Sequence, residues 1–353
     1  MSSASLLLTG TLLAAATLPA QAPTTAQFRE AVEYATRTDA QAVLVMHRGA
    51  IVHEQYISGG AATVRTMLAS GSKSFVGVAT IAAVADGLLR LDDPVGQYLT
   101  EWAGDPRKAR VTIRQLLSLE SGVAAGVAAT GCGGPRSGWK DAVAAPSEAE
   151  PGTRFAYGPY PFITMGALLE RVRPAESFEA YLARRVLAPL GVQVEWRTKC
   201  ADGKPQLAGG AAMTARDWAT FGEFIRRGGV HKGQRFLPDS LVKQLFRPST
   251  SNPAYGLSWW LRRGTTAQAP GLGGEGSGRP LLSRLARRRG GNQKSADPSA
   301  VPTDLVMAAG AGKQRLYLIP SRELVVVRMG PIRGGRSFND VEFLRALLGE
   351  PAR

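Results

Sequence analysis

Residues Ser70–Leu88 read SGSKSFVGVATIAAVADGL, and Val76–Leu88 within them are nearly all apolar. Such a run predicts a helix that is buried all round. Ser70 and Lys73 lie three positions apart at its start, so a helical backbone places both side chains on one face. A lysine at the start of a buried helix destabilises the fold, because burial penalises the charged ammonium. Its presence there indicates a chemical function. Ser70 and Lys73 are therefore the first candidates for a catalytic pair.

The chemistry of a serine–lysine pair depends on where it lies. A serine in the first turn is near the positive end of the helix dipole, which favours a developing oxyanion. A desolvated lysine has an accessible neutral form that can take the serine proton. Two further Ser-x-x-Lys matches begin at Ser137, in a Gly-rich loop, and at Ser240, on an amphipathic helix with a solvated lysine. Only the pair at Ser70 combines both conditions.

The order of predicted elements along the chain indicates the fold class. Thr24–Arg37 has helical periodicity, and two β-rich runs follow it, Ala42–Met46 and Ile51–Tyr56, joined by a hairpin turn. The middle of the chain is mostly helical, with helices predicted at Thr112–Leu119, Tyr160–Arg173, Phe178–Leu190 and Thr214–Arg227. Strand-like runs then return at Tyr255–Leu261, Leu305–Ala309, Arg315–Ile319 and Leu324–Arg328, before a closing helix at Ser337–Leu348.

This order predicts an α+β or α/β fold with an antiparallel sheet assembled from both chain ends and flanked by helices. A mainly helical subdomain is inserted between the two halves of the sheet. We expect the sheet lobe to comprise about residues 23–87 and 252–353, and the helical lobe about residues 88–251. The Gly-, Pro- and Arg-rich residues 265–303 are interpreted as a flexible basic insert.

The N-terminal residues predict export. The apolar run Leu6–Leu18 is followed by PAQAP at 19–23, with small residues at positions 20 and 22. This is the pattern of a secretory signal peptide cut after Ala22, although no lysine or arginine precedes the run. The run is too short to anchor the chain in a bilayer. We expect residues 1–22 to be removed and the mature protein to be periplasmic or secreted.

The chain contains two cysteines, Cys132 and Cys200. In an oxidising compartment an even pair predicts a disulfide, which the chain-entropy model values at about 4 kcal/mol for a loop of this length. A metal site is the weaker alternative, because none of the three histidines is spaced to complete one. We expect no metal and no organic cofactor.

The charge balance is strongly basic, with 43 Lys and Arg against 28 Asp and Glu, a net charge of +15. Such a surface attracts anions. For an exported protein these are anionic cell-envelope polymers or lipids rather than nucleic acid. The stretch Arg279–Lys294 holds much of this charge and is interpreted as a solvated loop, with contact to the envelope as the alternative. We expect a monomer.

Two further segments are candidates for the site. Pro151–Pro159 reads PGTRFAYGP, and its Tyr157 either packs only or, beside a serine–lysine pair, relays a proton. Ala308–Gly312 reads AAGAG directly after a predicted strand. A Gly-rich strand edge permits the close approach of a ligand, although a tight turn explains the same residues.

Taken in this order, the features resemble the serine β-lactamase and penicillin-binding-protein-like hydrolases, specifically the class C β-lactamase-like branch. That branch includes esterases, D-aminopeptidases, DD-peptidases and 6-aminohexanoate-dimer hydrolases. The resemblance covers about Val43–Gly330. It rests on SGSKSF at Ser70–Phe75, GLLRLDDPV at Gly87–Val95, TIRQLLSLESGV at Thr112–Val123, PGTRFAYG at Pro151–Gly158, AGGAAMTARDWATFG at Ala208–Gly222 and AAGAGKQRLYLIP at Ala308–Pro320.

The resemblance implies a role for each matching residue. Ser70 corresponds to the acylated nucleophile, Lys73 to its activating partner and Tyr157 to the tyrosine of the family's Tyr-x-Asn motif. The backbone N–H groups of Ser70 and Ala311 correspond to the oxyanion donors. The implied oxyanion and substrate-binding residues of the third motif are Ala309, Gly310 and Ala311.

Two positions depart from the family pattern. Pro159 stands where the Asn of Tyr-x-Asn is expected, and Ala308 stands where many relatives have Lys or His. Arg315 and Lys313 are candidate replacements for the missing cation. The sequence predicts an exported serine hydrolase that cleaves small esters or amides through an acyl-enzyme. The alternatives are a penicillin-recognising-fold binding protein with impaired turnover, or a β-lactamase or D-alanyl-D-alanine carboxypeptidase.

Overall fold

The structure is a computed structural model, and it describes residues 21–127, 132, 136–262, 301–333 and 337–349. The predicted signal peptide lies outside the described residues except for residues 21 and 22. The predicted basic insert lies outside them except for its last three residues, 301–303. Both therefore stay predictions.

The helices and strands follow the predicted order. The helices are α1 (Thr25–Arg37), α2 (Lys73–Ala85), α3 (Ile113–Leu117), α4 (Trp139–Ala144), α5 (Tyr160–Val172), α6 (Phe178–Leu182), α7 (Ala188–Leu190), α8 (Ala215–Arg226), α9 (Asp239–Val242) and α10 (Asp340–Leu348). The strands are β1 (Ala42–His47), β2 (Ala50–Tyr56), β3 (Thr66–Met67), β4 (Glu195–Trp196), β5 (Ala211–Met213), β6 (Val230–His231), β7 (Gln234–Arg235), β8 (Trp260–Leu261), β9 (Val306–Gly310), β10 (Gln314–Ile319) and β11 (Leu324–Met329).

The main sheet has six strands in the order β2-β1-β11-β10-β9-β8. Every neighbouring pair is antiparallel, and the central pairing sets Leu44 opposite Val327. The hairpin β1–β2 comes from the N-terminal part of the chain, and the other four strands come from its C-terminal part. The predicted fold class, an antiparallel sheet built from both chain ends with helices between them, is confirmed.

Helices cover both faces of this sheet. On one face α8 packs closely, because a Cβ atom at Gly222 would lie only 2.6 Å from a methyl carbon of Leu316. On the other face lie α1 and α10, where the rings of Tyr317 and Phe343 stack with their centroids 6.1 Å apart. Neighbouring residues of β10 therefore point into different layers, as the two-residue period of a strand requires.

Threonine caps fix the starts of two predicted helices. The Thr112 side chain accepts a hydrogen bond from the N–H of Gln115, and the Thr214 side chain accepts one from the N–H of Asp217. These bonds satisfy N–H groups that have no partner inside the helix. Both helices consequently begin one residue after the threonine, as the sequence indicates.

Several features of the fold differ from the sequence prediction. The predicted strand Tyr255–Leu261 is a strand only at Trp260–Leu261, because Ser258 adopts a φ of 71° and the chain folds back so that Tyr255 bridges Trp260. The predicted helix Phe178–Leu190 contains a π-helical turn at Ala183–Leu187. The helix α4 and the small sheet β3-β5-β4 were not predicted, because segments of two to six residues show little periodicity.

The predicted disulfide joins Cys132 to Cys200 across 68 positions of the chain. Both residues are buried. The bond ties the segment before α4 to the segment before β5. Within the described residues, none of the helices has the length and apolar character needed to cross a membrane.

Candidate active site

Ser70 lies on a tight 3₁₀ turn, Ala69–Ser72, that leads directly into α2. Ala69 has a φ of 47°, in the left-handed region that residues other than glycine rarely adopt, and strain of this kind is concentrated at functional sites. Glycine is required at position 71, since a Cβ atom there would lie 2.9 Å from the Trp218 ring. The Ser72 hydroxyl donates to the Ala69 carbonyl at 2.7 Å and accepts from the Ala211 N–H at 3.1 Å. The turn is thereby fixed against β5.

Lys73 is the second member of the predicted pair, and its side chain is buried beneath this turn, with 3 % of the residue exposed. Its Nζ donates to Ser70 Oγ at 3.0 Å and to the carbonyl oxygen of Ala208 at 2.9 Å. Burial lowers the pKa of Lys73, and the neighbouring Tyr157 opposes part of that shift. The neutral amine is therefore easier to reach than in water. The contact with Ala208 was not predicted from the sequence, because Ala208 takes part through its backbone carbonyl.

Tyr157 lies beside the pair on the loop that precedes α5. The Lys73 Nζ is 4.7 Å from the centroid of the Tyr157 ring. The loop is held by the Ala156 N–H, which donates to the Leu119 carbonyl at 2.8 Å. A side chain at Gly158 would overlap the carbonyl oxygen of Ala125, so the loop packs directly against the segment that contains Ala125. The structure brings the three predicted residues, serine, lysine and tyrosine, together.

An aromatic cluster that the sequence analysis did not identify adjoins Tyr157. It comprises Phe155, Tyr157, Tyr255 and Trp260, with ring centroids between 4.8 and 6.4 Å apart. Tyr255 is buried, and burial followed by the proximity of Tyr157 raises its pKa well above the usual value. Tyr255 is thus a neutral phenol at physiological pH, and the cluster forms a largely apolar wall beside Tyr157.

The third motif lies at the end of β9, next to the serine turn. A Cβ atom at Gly310 would overlap the carbonyl oxygen of Leu68 and lie 3.1 Å from the Gly71 nitrogen. Only glycine allows the strand to approach the turn this closely. Ala311 follows immediately and is exposed, whereas Ala309 is buried in the strand. The structure therefore places the predicted oxyanion strand against the turn that carries Ser70.

The two departures from the family motifs occupy buried positions. Pro159 precedes α5, and its carbonyl accepts the N–H of Ile163 at 3.2 Å. Ala308 is opposite Leu316, which contacts α8, so Ala308 points toward that helix. Neither residue has a polar side chain to offer a substrate.

Arg315 does not replace the missing cation. It is 2 % exposed, and its guanidinium pairs with the Asp340 carboxylate at 2.6 Å. Arg315 is opposite Ala309 in the sheet and points into the layer that contains α10, away from Ala308. The idea that it binds a substrate carboxylate at the third motif is therefore wrong.

The other two Ser-x-x-Lys matches lack the features of the first. The Lys243 side chain is 73 % exposed and pairs with Asp239 at 2.6 Å. The Ser137 hydroxyl is 3.4 Å from the Tyr160 hydroxyl. Of the three lysines, Lys73 is the one that is buried against its serine.

A serine on a strained turn, a desolvated lysine within hydrogen-bonding distance and a glycine-edged strand beside them form the arrangement expected of a serine–lysine hydrolytic site. The chain belongs to the beta-lactamase family, whose family model, Beta-lactamase, matches residues 25–343. The resemblance drawn from the sequence is thereby confirmed.

Solved structures support the same fold. A putative 6-aminohexanoate-dimer hydrolase from Bacillus anthracis is 17 % identical with a TM-score of 0.68, over 94 % of this chain and 85 % of that one. A D-stereospecific amidohydrolase from Streptomyces sp. is 16 % identical with a TM-score of 0.66, over 94 % of this chain and 100 % of that one. A family VIII carboxylesterase is 15 % identical with a TM-score of 0.64, over 94 % and 98 % of the two chains.

Proposed function

We propose that the protein is an exported serine hydrolase that cleaves small, uncharged esters, and more slowly amides, through an acyl-enzyme on Ser70. The observation that carries the proposal is the 3.0 Å contact between Ser70 Oγ and the buried Lys73 Nζ. A buried amine next to a hydroxyl is the arrangement that activates a serine without a histidine. The family and its hydrolase relatives support the same reaction class.

In the first half of the reaction, Lys73, with Tyr157, takes the proton of Ser70 as Oγ attacks the substrate carbonyl carbon. The carbonyl π electrons move onto oxygen, where the N–H groups of Ser70 and Ala311 stabilise the negative charge. When the carbonyl re-forms, the bond to the leaving alkoxide breaks. The alkoxide takes the proton back from Lys73 or Tyr157 and departs as an alcohol.

In the second half, water attacks the acyl-enzyme carbonyl and gives its proton to the same base. The second oxyanion is stabilised by the same two N–H groups. Its collapse breaks the bond to Ser70 Oγ, which is reprotonated, and the acid is released. No step draws on a group outside this chain and its water.

The preference for uncharged esters follows from Pro159 and Ala308. In this family, amide substrates hydrogen-bond to the Asn that Pro159 replaces. Carboxylate-bearing substrates pair with the cation that Ala308 replaces. A missing hydrogen bond to a charged group costs about 1.5–3 kcal/mol, or roughly ten- to a hundredfold in rate. Esters need less assistance because their leaving group departs without amine protonation. The apolar wall beside Tyr157 is compatible with an uncharged acyl group.

Export is part of the proposal because the disulfide and the N-terminal sequence support it together. A disulfide persists in oxidising compartments, and the sequence at residues 1–22 has the pattern of a signal peptide. A binding protein without turnover is the second candidate, which Pro159 and Ala308 favour. A pure binder, however, has no need of the buried Lys73.

The test compares three substrates on the purified protein in one buffer: a nitrophenyl butyrate, a chromogenic cephalosporin and a diacetyl-Lys-D-Ala-D-Ala peptide. We expect the ester to exceed the other two in kcat/KM by at least about a hundredfold. Ser70→Ala should abolish ester turnover in a folded protein, and the matched control Ser240→Ala should retain it. Equal rates on all three substrates would refute the ester preference. Wild-type turnover by Ser70→Ala would refute the mechanism.

A further inference from the structure

Arg315 is a buried cation directly behind the predicted oxyanion strand. Its Nη1 donates to the carbonyl oxygen of Gly310 at 3.2 Å and to that of Gln314 at 3.0 Å. Its Nε and Nη2 donate to the two carboxylate oxygens of Asp340, at 2.6 and 3.2 Å. The guanidinium therefore bridges a fixed carboxylate and the carbonyl that precedes Ala311.

The carbonyl of Gly310 and the N–H of Ala311 belong to one peptide unit. That unit is planar and trans, so its carbonyl and N–H point in opposite directions. A donor that holds the carbonyl on one side consequently fixes where the N–H points on the other. A charged donor on a carbonyl also polarises the peptide and strengthens its N–H as a donor.

The carboxylate that holds Arg315 is itself constrained. Asp340 is fully buried at the first turn of α10, and the Tyr317 hydroxyl donates to it at 2.6 Å. A carboxylate at a helix N-terminus is stabilised by the helix dipole. Tyr317 and Arg315 approach Asp340 from the same strand, β10, so the guanidinium has little freedom to turn away from Gly310.

We infer that Arg315 is a positioning residue of the oxyanion hole, held by Asp340 and Tyr317, which orients the Gly310–Ala311 peptide so that the Ala311 N–H meets the developing negative charge. The inference rests on the proposed function. It adds a part of the machinery that lies on the far face of the sheet from Ser70 and touches no reacting atom.

Stability alone does not account for this arrangement. A buried ion pair contributes little net stability, and replacing both members by apolar residues is often neutral or stabilising. The pair Arg226–Glu223 on α8 provides a comparison, since its side chains are 10 % and 8 % exposed and it is a salt bridge of 2.7 Å. None of the hydrogen bonds described for these two side chains reaches the oxyanion strand.

The test uses an ester and the thionoester with the same leaving group, because sulfur in place of the carbonyl oxygen is a poor acceptor in an oxyanion hole. The variant is Arg315→Met/Tyr317→Phe/Asp340→Leu, which leaves no buried charge or hydroxyl of this group unpaired. We expect kcat for the ester to fall about ten- to a hundredfold, less than the roughly hundred- to thousandfold cost of removing an oxyanion donor, because the Ala311 N–H is misoriented rather than lost. KM should change little, and the ester-to-thionoester rate ratio should fall by a similar factor as kcat.

The control Arg226→Met/Glu223→Leu should leave that ratio unchanged. Asp340→Asn, which preserves side-chain shape, serves as the second variant if the triple variant does not fold, and should lower the ratio in the same direction by a smaller factor. An unchanged ratio in a folded variant, whatever its melting temperature, would overturn the inference. If the wild-type protein hydrolyses neither ester, the proposed function fails first and this inference with it.

Discussion

In the proposed mechanism, Lys73 is the residue that takes the proton of Ser70. Among the described residues no carboxylate forms an ion pair with it, and its nitrogen contacts a hydroxyl and a backbone carbonyl instead. Burial therefore lowers its pKa from the usual 10.5, since the charged form loses its solvent without gaining a counter-charge. The same burial that raises the neutral, proton-accepting fraction of the amine at physiological pH makes its charged form a cost to folding.

We predict that Lys73→Met lowers kcat by about a thousandfold or more, because the general base is lost. The variant should also be more stable than wild type at neutral pH, by about 1 kcal/mol. The cost of the buried ammonium is full below the lowered pKa and disappears as pH approaches 10.5, so the stability gap should narrow over that interval.

Denaturant unfolding at several pH values and a kcat/KM profile measure both effects together. Wild-type kcat/KM should rise with pH through an inflection below 10.5, as Lys73 loses its proton. Lys243→Met is the matched control, since that lysine is exposed and should affect neither quantity appreciably. A Lys73→Met variant that is less stable than wild type at neutral pH would contradict the assignment of a desolvated base.

Among the elements, β9 and the turn Ala69–Ser72 determine the geometry of the site. Their close approach is possible because Gly310 has no side chain where the Leu68 carbonyl lies. The approach brings the turn that follows Gly310 into contact with the turn that carries Ser70, although the two are more than two hundred positions apart in sequence. In the proposed mechanism, the same approach places the Ala311 N–H at the oxyanion hole.

Gly310→Ala should lower the free energy of unfolding by about 1–3 kcal/mol, because the methyl group forces strand and turn apart. It should also lower kcat by about a hundredfold, since a displacement of about 1 Å spoils the position of the Ala311 N–H. Gly104→Ala is the control, because a Cβ atom there would meet no atom within 4 Å. Unfolding curves and ester turnover of the two variants test the claim, and equal behaviour would refute it.

The sequence was most informative where an element is long or carries a motif. The buried helix α2, the caps at Thr112 and Thr214 and the antiparallel sheet were all predictable from apolar runs, capping residues and element order. The aromatic cluster was not, because Phe155 and Tyr255 meet only through tertiary packing. The contact between Arg315 and the Gly310 carbonyl was also not predictable from the sequence, since it depends on which face of β10 points toward α10.

Across the whole molecule, the site lies where the sheet meets the helical segment. The sheet supplies Gly310 and Ala311, α2 and its preceding turn supply Ser70 and Lys73, and the loop before α5 supplies Tyr157. The disulfide joins the segment before α4 to the segment before β5, and neither segment supplies one of these residues. We expect it to contribute to stability rather than to chemistry. The net charge of +15 belongs to the full sequence, and contact with an anionic envelope stays a prediction.

Removing the disulfide with Cys132→Ala/Cys200→Ala should lower the free energy of unfolding by about 2–4 kcal/mol, because the unfolded chain regains the entropy of an open loop. The folded variant should keep wild-type kcat. Urea unfolding without reductant measures the first quantity and ester turnover the second. Unchanged stability, or two free thiols in denatured and unreduced protein isolated from its native compartment, would contradict a structural disulfide formed on export.

The central claim is that Ser70 becomes acylated, and rapid quenching of the enzyme during turnover of a nitrophenyl ester tests it most directly. Intact mass should show one acyl group per chain, and peptide mapping should place it on Ser70. The species should be absent from Ser70→Ala and should accumulate less in Lys73→Met. An acyl group on another residue, or full ester turnover by Ser70→Ala with Ser70 never modified in the wild type, would contradict the account.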